Sequence, residues 1–295
     1  MNKFTINEFR AAYPNDDACL DRIFKLRFTN LVCPECESTK PFLRLKGRRA
    51  YYCPNCSYQL YPTKDTPFEK TTTPLIQWFY AIFLQTTTRN GVAAKELERL
   101  LSISYPTALR MNHQIKKLIG GKDKRSKMWA EIVQIDECYI GQSLLTMKKS
   151  QRAKMKENNE TKFDNKVGVM GFVSNDRQIR FEVMDDTQTF KERVKNNVSK
   201  DAILVTDSHL GYEGLSLHYK KHEVVNHSIN EYKNKNNYHT NAVESAWSVL
   251  KRTIKGTHIH VSPKYLQLYV DEVAFRMMNK DKQDTMFETI LSHVV

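Results

Sequence analysis

Two pairs of cysteines constrain the fold of this chain more than any other feature of its sequence. Each pair has the form Cys-Pro-X-Cys, at Cys33–Cys36 and Cys53–Cys56, and sixteen residues separate the pairs. This spacing is typical of a zinc ribbon, because each tight turn aims two thiolates at one ion and two turns complete a tetrahedron. The residues between them, 41–52, predict two short strands around a turn. Disulfides are the alternative, which a reducing cytosol disfavours.

The charge balance indicates the kind of partner. The chain carries 46 Lys and Arg residues against 33 Asp and Glu residues, a formal net charge of +13. Such an excess predicts binding to nucleic acid, although the charge could instead serve only solubility. The longest apolar run, Trp78–Leu84, is too short to cross a bilayer. With no secretory signal pattern at the N-terminus, we expect a cytoplasmic protein that contacts no membrane.

The ribbon has a basic edge that is a candidate DNA-binding surface. Its arginines lie beside two tyrosines, Tyr51 and Tyr52. Arginine side chains in such a setting suit contacts with phosphates. An exposed hairpin tip without a partner is the alternative. The candidate contacts are Arg44, Arg48 and Arg49.

Residues 74–119 show the period of helices rather than of strands. An apolar helix is predicted from Pro74, a Thr-rich break follows at 86–88, and two shorter helices are joined by a turn at 102–104. This pattern predicts a helix-turn-helix, although any small helical hairpin could show the same period. The second helix offers candidate DNA contacts, and Lys116 also suits a phosphate. These candidates are Tyr105, Thr107, Arg110, His113, Gln114 and Lys117.

Strands predominate from residue 131 onward and then alternate with helices, which predicts a mixed α/β sheet. A polar, Lys-rich segment at 146–166 predicts a mobile insertion between the first two strands. Strands are predicted at 132–139, 167–173, 179–183 and 202–206, and helices at 187–198, 240–254 and 264–278.

Two aspartates occupy strand positions where a carboxylate is costly unless something compensates for its desolvation. Asp136 lies in the middle of an apolar strand, and Asp207 directly follows another. A shared divalent cation is the simplest reason for both. A third acid is then expected from the helix at 240–254, where Glu244 lies on the polar face. A plain amphipathic surface helix is the alternative, and Glu137 is expected to point to the opposite sheet face from Asp136.

Several of these motifs together resemble a known family, the bacterial zinc-ribbon insertion-sequence transposases, which are related to the eukaryotic Merlin elements. The likeness extends over nearly the whole chain. Besides the ribbon, it is carried by GVAAKELERLL at 91–101, QIDECYIG at 134–141, TDSHLGY at 206–212, HTNAVESAWSVLKR at 239–252 and YVDEVAFRMMN at 269–279.

The resemblance implies an RNase H-like catalytic domain with a triad of the Asp-Asp-Glu type. Asp136 and Asp207 match its first two acids. Glu244 is our prediction for the third, and Asn241 is the open alternative because some branches of the family have Asn there. His239 and Lys251 are expected to position the scissile phosphate rather than to bind metal, and Arg252 is a further expected contact with DNA.

The implied activity is cleavage at transposon ends followed by strand transfer, with two Mg2+ or Mn2+ ions held by Asp136, Asp207 and Glu244. The implied partners are double-stranded DNA, as terminal inverted repeats and target, and a second copy of the chain on that DNA. A bacterial, nucleoid-associated protein is expected. A DNA-binding regulator, or an RNase H-like nuclease without strand transfer, is the alternative.

The predicted domain order follows from these motifs, with a structural zinc ribbon and a helix-turn-helix preceding the RNase H-like mixed-sheet domain. The predicted boundaries are an N-terminal helical segment at 1–30, the ribbon at 31–66, the helix-turn-helix at 67–122 and the catalytic domain at 128–295.

Overall fold

The computed structural model describes most of the chain, and the predicted insertion at 146–166 lies almost entirely outside the described residues. The chain divides into two compact units. The first comprises residues 1–121 with 281–295, and the second comprises 122–280. The described residues are 4–121, 126–128, 130–141, 150, 153, 157, 166–185, 187–226 and 234–294.

The first unit opens with two helices, α1 (Ile6–Ala12) and α2 (Asp16–Arg27), as predicted for the N-terminal segment. Thr5 and Glu8 form a capping box at the start of α1. The Asn15 side chain accepts the Ala18 N–H at the start of α2. Each helix therefore begins where a side-chain oxygen satisfies an N–H that has no partner inside the helix.

The ribbon is a small antiparallel sheet of β1 (Leu43–Leu45), β2 (Ala50–Tyr52) and β3 (Gln59–Leu60). Its first turn contains Gly47 at a φ of +78°, a conformation that glycine adopts without strain. Tyr51 stacks on Phe24 of α2, with ring centroids 4.0 Å apart. The ribbon therefore packs against α2 through an aromatic pair.

Three further helices follow: α3 (Leu75–Thr87), α4 (Ala94–Leu101) and α5 (Tyr105–Ile119). The hydroxyls of residues 86–88 donate to carbonyls of the preceding turn, so α3 ends at the predicted Thr-rich break. The two-helix hairpin of α4 and α5 lies where the sequence predicts it. Ser102, in the turn, adopts the left-handed helical backbone conformation.

The C-terminal helix α9 (Gln283–Ser292) belongs to the first unit, which corrects part of the predicted catalytic domain at 128–295. It packs against α3 and α5. Its Phe287 joins an aromatic cluster with Phe9, Tyr13 and Phe79. An apolar helix face indicates that the helix is buried but not what it packs against. The sequence therefore assigns this helix to the domain that directly precedes it in the chain.

The second unit is built on a five-stranded mixed sheet, and the predicted α/β, RNase H-like fold class is confirmed. The strand order is β6-β5-β4-β7-β8. Strand β5 runs antiparallel to both neighbours, while β4, β7 and β8 are parallel to one another. The strands are β4 (Ile132–Gly141), β5 (Lys166–Ser174), β6 (Ile179–Val183), β7 (Ile203–Asp207) and β8 (Lys221–Val225).

Helices cover both faces of this sheet. On one face, α7 (Asn241–Thr253) and α8 (Leu266–Met278) supply Trp247 and Val270 to a core with Cys138. On the other, α6 (Phe190–Asn197) supplies Val194 to a core with Ile135 and Tyr212. Alternate residues of β4 therefore enter opposite cores. Within the described ranges no helix is both long and apolar enough to cross a membrane.

Gly171 of β5 is the pairing partner of Asp136 on β4, and its lack of a side chain leaves room for the Trp247 indole. A substitution at this position therefore tests the packing. A Cβ at this position would lie 2.5 Å from the ring. We therefore expect Gly171→Ala to lower the free energy of unfolding by about 1–3 kcal/mol in urea titrations. Gly256→Ala is the control, since its Cβ would meet nothing within 4 Å. Equal unfolding midpoints for the two variants would contradict the packing.

Candidate functional site

The four paired cysteines form one sulfur cluster in the ribbon. Their Sγ atoms all lie within 4.8 Å of one another. The Cys33–Cys56 and Cys36–Cys53 separations are 3.6 and 3.7 Å. A tetrahedral ion with Zn–S bonds of about 2.3 Å requires sulfurs about 3.8 Å apart, so the donor set fits zinc. A hydrogen bond from the Asn55 side chain lowers the pKa of Cys36 to about 6, whereas burial and hydrogen bonds with the other thiols raise that of Cys56, so Cys36 ionises before Cys56.

The two cysteine turns have the same backbone structure. In the first, the Cys33 N–H donates to the Ser38 carbonyl, and the Glu37 N–H donates to the Cys33 carbonyl. The N···O distance is 2.9 Å in both hydrogen bonds. The same two bonds recur within residues 53–58. Glu37 and Ser57 both adopt a positive φ, which closes each turn. The repeated Cys-Pro-X-Cys motif therefore builds two equivalent halves of one metal centre.

The two predicted aspartates meet where the parallel pairing of two strands ends: Asp207 is the last residue of β7, and Asp136 lies in the middle of β4. Pairing of β4 with β7 aligns Gln134 with Val205 and stops there. Continuing this register by two residues places Asp136 level with Asp207. Their carboxylate oxygens lie within 4.8 Å of each other. The structure thus brings together two residues that are 71 positions apart in the sequence.

Glu137 points to the opposite sheet face from Asp136, as predicted, and yet belongs to the same group of acids. It faces the α6 side of the sheet, where the Tyr212 hydroxyl donates to its Oε2 at 2.7 Å. Its carboxylate nevertheless lies within 4.8 Å of those of Asp136 and Asp207. At this level β4 still pairs with β5, but its pairing with β7 has ended. We call Asp136, Glu137 and Asp207 the acidic cluster.

The acidic cluster is electrostatically strained without a cation. Burial raises the pKa of Asp136 and of Glu137, and the charge of Asp207 raises both further. Hydrogen bonds act against this: Trp247 Nε1 donates to Asp136 Oδ2 at 2.8 Å, and Tyr212 donates to Glu137. Crowded carboxylates that repel one another favour a bound divalent cation. Their oxygen donors suit Mg2+.

Glu244 lies on α7 outside the acidic cluster. It is exposed, and its Oε1 accepts a hydrogen bond from the Thr240 hydroxyl at 2.8 Å. Its charge still contributes to the raised pKa of Asp136, so the two carboxylates are within electrostatic range. Asn241, the alternative third residue, is the exposed first residue of α7. Among the described residues, neither joins the group whose ligand atoms all lie within 4.8 Å.

Gln134 fixes the start of α7, a role that sequence reasoning missed. Its Oε1 accepts the N–H groups of Ala242 and Val243 at 2.9 and 3.3 Å, so it caps a helix on which it does not reside. Its Nε2 lies 3.4 Å from His239 Nδ1. Gln134 and Asp136 share one face of β4, and both hold α7. The available signal was the pair of polar residues alternating within an apolar strand.

The remaining predicted residues of α7 are on its exposed surface. Lys251 lies near β4, since its charge opposes the burial that raises the pKa of Cys138 to about 12. Arg252 Nε donates to the Ser248 carbonyl at 3.3 Å. Both cations remain accessible from solvent.

In the first unit, α5 presents part of the predicted DNA surface. Tyr105, Arg110 and Lys117 are exposed, whereas three others are half-buried: Thr107, His113 and Gln114. Lys116 is fully buried, which corrects its prediction as a phosphate contact. It falls on the inner face of α5, beside the buried Ile115. Burial also lowers the pKa of His113, with nearby lysine charges adding to the effect.

Two arginines of the ribbon make intramolecular contacts instead of forming an open basic edge. Arg44 Nη2 lies 2.7 Å from Asp17 Oδ1 of α2, and its Nη1 donates to the Ala50 carbonyl at 3.0 Å. Arg49 donates to three acceptors, Thr71 O, Thr73 O and Asp16 Oδ2. These bonds tie the ribbon to neighbouring segments. Of the three predicted contacts, only Arg48 remains exposed.

Comparisons with known proteins agree with the two centres. A family model described as the ISXO2-like transposase domain matches residues 128–278, which contain the acidic cluster. The chain belongs to this transposase family. A second family model, described as the transposase zinc-ribbon domain, matches residues 14–59 of this chain. An "uncharacterized protein in transposable element ISH50" of Halobacterium salinarum is 25% identical over 285 residues, covering 90% of this chain and 94% of that protein. The predicted resemblance to insertion-sequence transposases is confirmed.

The sulfur cluster predicts the metal content of the transposase. Protein purified without chelator should contain one zinc per chain, and Cys36→Ser should contain less than half as much because three sulfurs hold the ion poorly. Elemental analysis measures both. Cys19→Ala is the control, since this thiol lies outside the cluster. Wild-type protein without zinc, or full zinc in Cys36→Ser, would refute the assignment.

Proposed function

We propose that this transposase binds the DNA ends of its own element, cleaves them, and joins them to target DNA in a metal-dependent reaction. The observation that carries the proposal is the acidic cluster: three carboxylates within 4.8 Å of one another, inside the matched transposase domain. Ligands of open α/β sheets bind at the carboxyl ends of parallel strands, and Asp207 of the cluster is the last residue of β7.

We infer that four carboxylates hold two Mg2+ or Mn2+ ions. Asp136, Glu137 and Asp207 are already grouped, and Glu244 on α7 is close enough to influence Asp136. Four negative charges balance two divalent cations. Such ions, when bound, activate the attacking water or DNA 3′-hydroxyl and stabilise the leaving oxygen in an in-line displacement.

The protein groups around this site hold its geometry and supply further charge. The Trp247 indole holds Oδ2 of Asp136 by a hydrogen bond, and the backbone of Glu137 donates to the same carboxylate. Gln134 sets the start of α7 and thereby the position of His239. We propose that His239 and Lys251 position the scissile phosphate. In phosphoryl transfer, such positioning and charge compensation account for most of the catalysis.

DNA ends and target DNA are the proposed partners. The exposed residues of α5, with Arg48 and Arg252, are the proposed contacts to the duplex. A net charge of +13 supports phosphate contacts that weaken as salt rises. Because two ends must be handled together, we propose a dimer or larger assembly on DNA, acting in the bacterial cytoplasm at the nucleoid.

Asp136→Asn tests the metal-dependent reaction. The Asn side chain can still accept from Trp247 but loses the charge that binds Mg2+. We expect cleavage and joining of the DNA that flanks the gene to fall by at least about 100-fold, while binding to that DNA is retained. Gel assays of cleavage, joining and binding measure these effects.

The control is Asp201→Asn. Asp201 is an exposed acid two residues before the start of β7, whereas Asp207 is the last residue of that strand. The control variant should cleave and join like wild type. Substantial Mg2+-dependent activity in Asp136→Asn would refute the role of this residue. Cleavage without joining by wild type would identify a nuclease instead.

The third acid is tested by comparing substitutions on β4 and α7. We expect Glu137→Gln and Glu244→Gln each to lower Mg2+-dependent cleavage by at least about tenfold, because each removes one ligand charge. Asn241→Ala should retain cleavage within about threefold, since it removes no charge. The Glu244→Gln side chain keeps an acceptor for Thr240, so helix structure is preserved. If only Asn241→Ala is inactive, Asn241 rather than Glu244 is the third residue.

A further inference from the structure

The loop that follows β7 holds the imidazole of His209 in a defined orientation. The His209 N–H donates to Asp207 Oδ1 at 3.0 Å, which ties the loop to the acidic cluster. The ring stacks on Phe190 of α6, with centroids 5.0 Å apart and an interplanar angle of 17°. The Gly211 N–H donates to His209 Nδ1 at 3.0 Å. Backbone, ring face and one ring nitrogen are therefore all engaged.

Gly211 is required for this arrangement. A Cβ at position 211 would lie 2.9 Å from His209 Nδ1 and 2.9 Å from ring carbons of Phe190. Both neighbours are parts of stacked rings that have little freedom to move. The absence of a side chain at Gly211 therefore lets the imidazole rest directly on the loop backbone.

The hydrogen bond from Gly211 also determines the tautomer of the neutral ring. Because Nδ1 accepts, the proton must reside on Nε2. Nε2 lies 4.0 Å from Glu137 Oε1, beyond hydrogen-bond distance, and the side chain is 45% exposed. Among the described residues, no hydrogen bond from Nε2 is found. A protonated ring nitrogen cannot ligate a metal, so His209 presents a donor beside the acidic cluster.

We propose that His209 Nε2 donates a hydrogen bond to a nonbridging oxygen of the DNA phosphate on which the acidic cluster acts. This inference rests on the proposed function, since it names a catalytic contact for that reaction. The transition state of phosphoryl transfer spreads negative charge over these oxygens. A donor held in place by Gly211 and Phe190 needs no reorganisation to stabilise that charge.

Two substitutions separate the donor from the packing role of the ring. His209→Phe retains a ring that can stack on Phe190 but has no N–H, whereas His209→Gln supplies an amide donor near the position of Nε2. We expect His209→Phe to lower kcat for Mg2+-dependent cleavage by at least about tenfold, with KM, DNA binding and Tm near wild type. His209→Gln should stay within about threefold of wild type.

Gly211→Ala is the second test, because it keeps the imidazole but displaces it. The same loss of kcat is expected. His218→Phe is the control, since His218 is an exposed histidine beyond the same loop. It should cleave like wild type. All assays use the full chain and DNA that flanks the gene.

The outcomes separate this inference from the proposed function. If wild type cleaves and His209→Phe cleaves equally well, His209 makes no catalytic contact and only this inference fails. If Mn2+ restores His209→Phe to the wild-type rate, the residue acts on the metal, which also overturns the inference. If wild type shows no cleavage with any divalent cation, the proposed function itself fails.

Discussion

The parallel pairing of β4 with β7, and the level at which it stops, determines the chemistry of the second unit. Pairing ends at Gln134 and Val205, and the next residues in register include Asp136 and Asp207. Carboxylates at this level are half-buried and repel one another, as the raised pKa values of Asp136 and Glu137 indicate. A divalent cation would compensate for this repulsion, and it would do so more strongly because the carboxylates are half-buried.

Around this pairing, neighbouring elements hold the acids in place. Gly171 on β5 leaves the space in which the Trp247 indole reaches Asp136, and Gln134 caps the helix that carries Trp247. On the other face, Tyr212 holds Glu137. Each carboxylate of β4 therefore has its own donor from a different element. Such supporting contacts keep charged groups in one arrangement before substrate arrives, which is what electrostatic catalysis requires.

Much of this organisation follows from local sequence signals, and the exceptions have physical reasons. The Cys-Pro-X-Cys spacing builds each ribbon turn from adjacent residues, so the sulfur cluster was predictable. Strand alternation placed Asp136 and Glu137 on opposite faces correctly, but alternation does not show that carboxylates from both faces meet beside Asp207. The positive charge of Arg44 and Arg49 gave no sign that acids of α2 and backbone carbonyls would engage them. Partners distant in sequence are set by packing, not by composition.

The sulfur cluster and the acidic cluster differ in a way that follows from their ligand atoms. Four sulfurs around one zinc ion complete its tetrahedron and leave no position for another ligand, which is characteristic of a structural site. Mg2+ prefers six oxygen ligands and keeps several waters, so the two ions that we propose for the acidic cluster would retain positions for water and phosphate oxygens. The ribbon centre is therefore suited to stabilising its fold. The acidic cluster, half-buried beside the end of β7, is the centre that we propose for binding of a DNA phosphate.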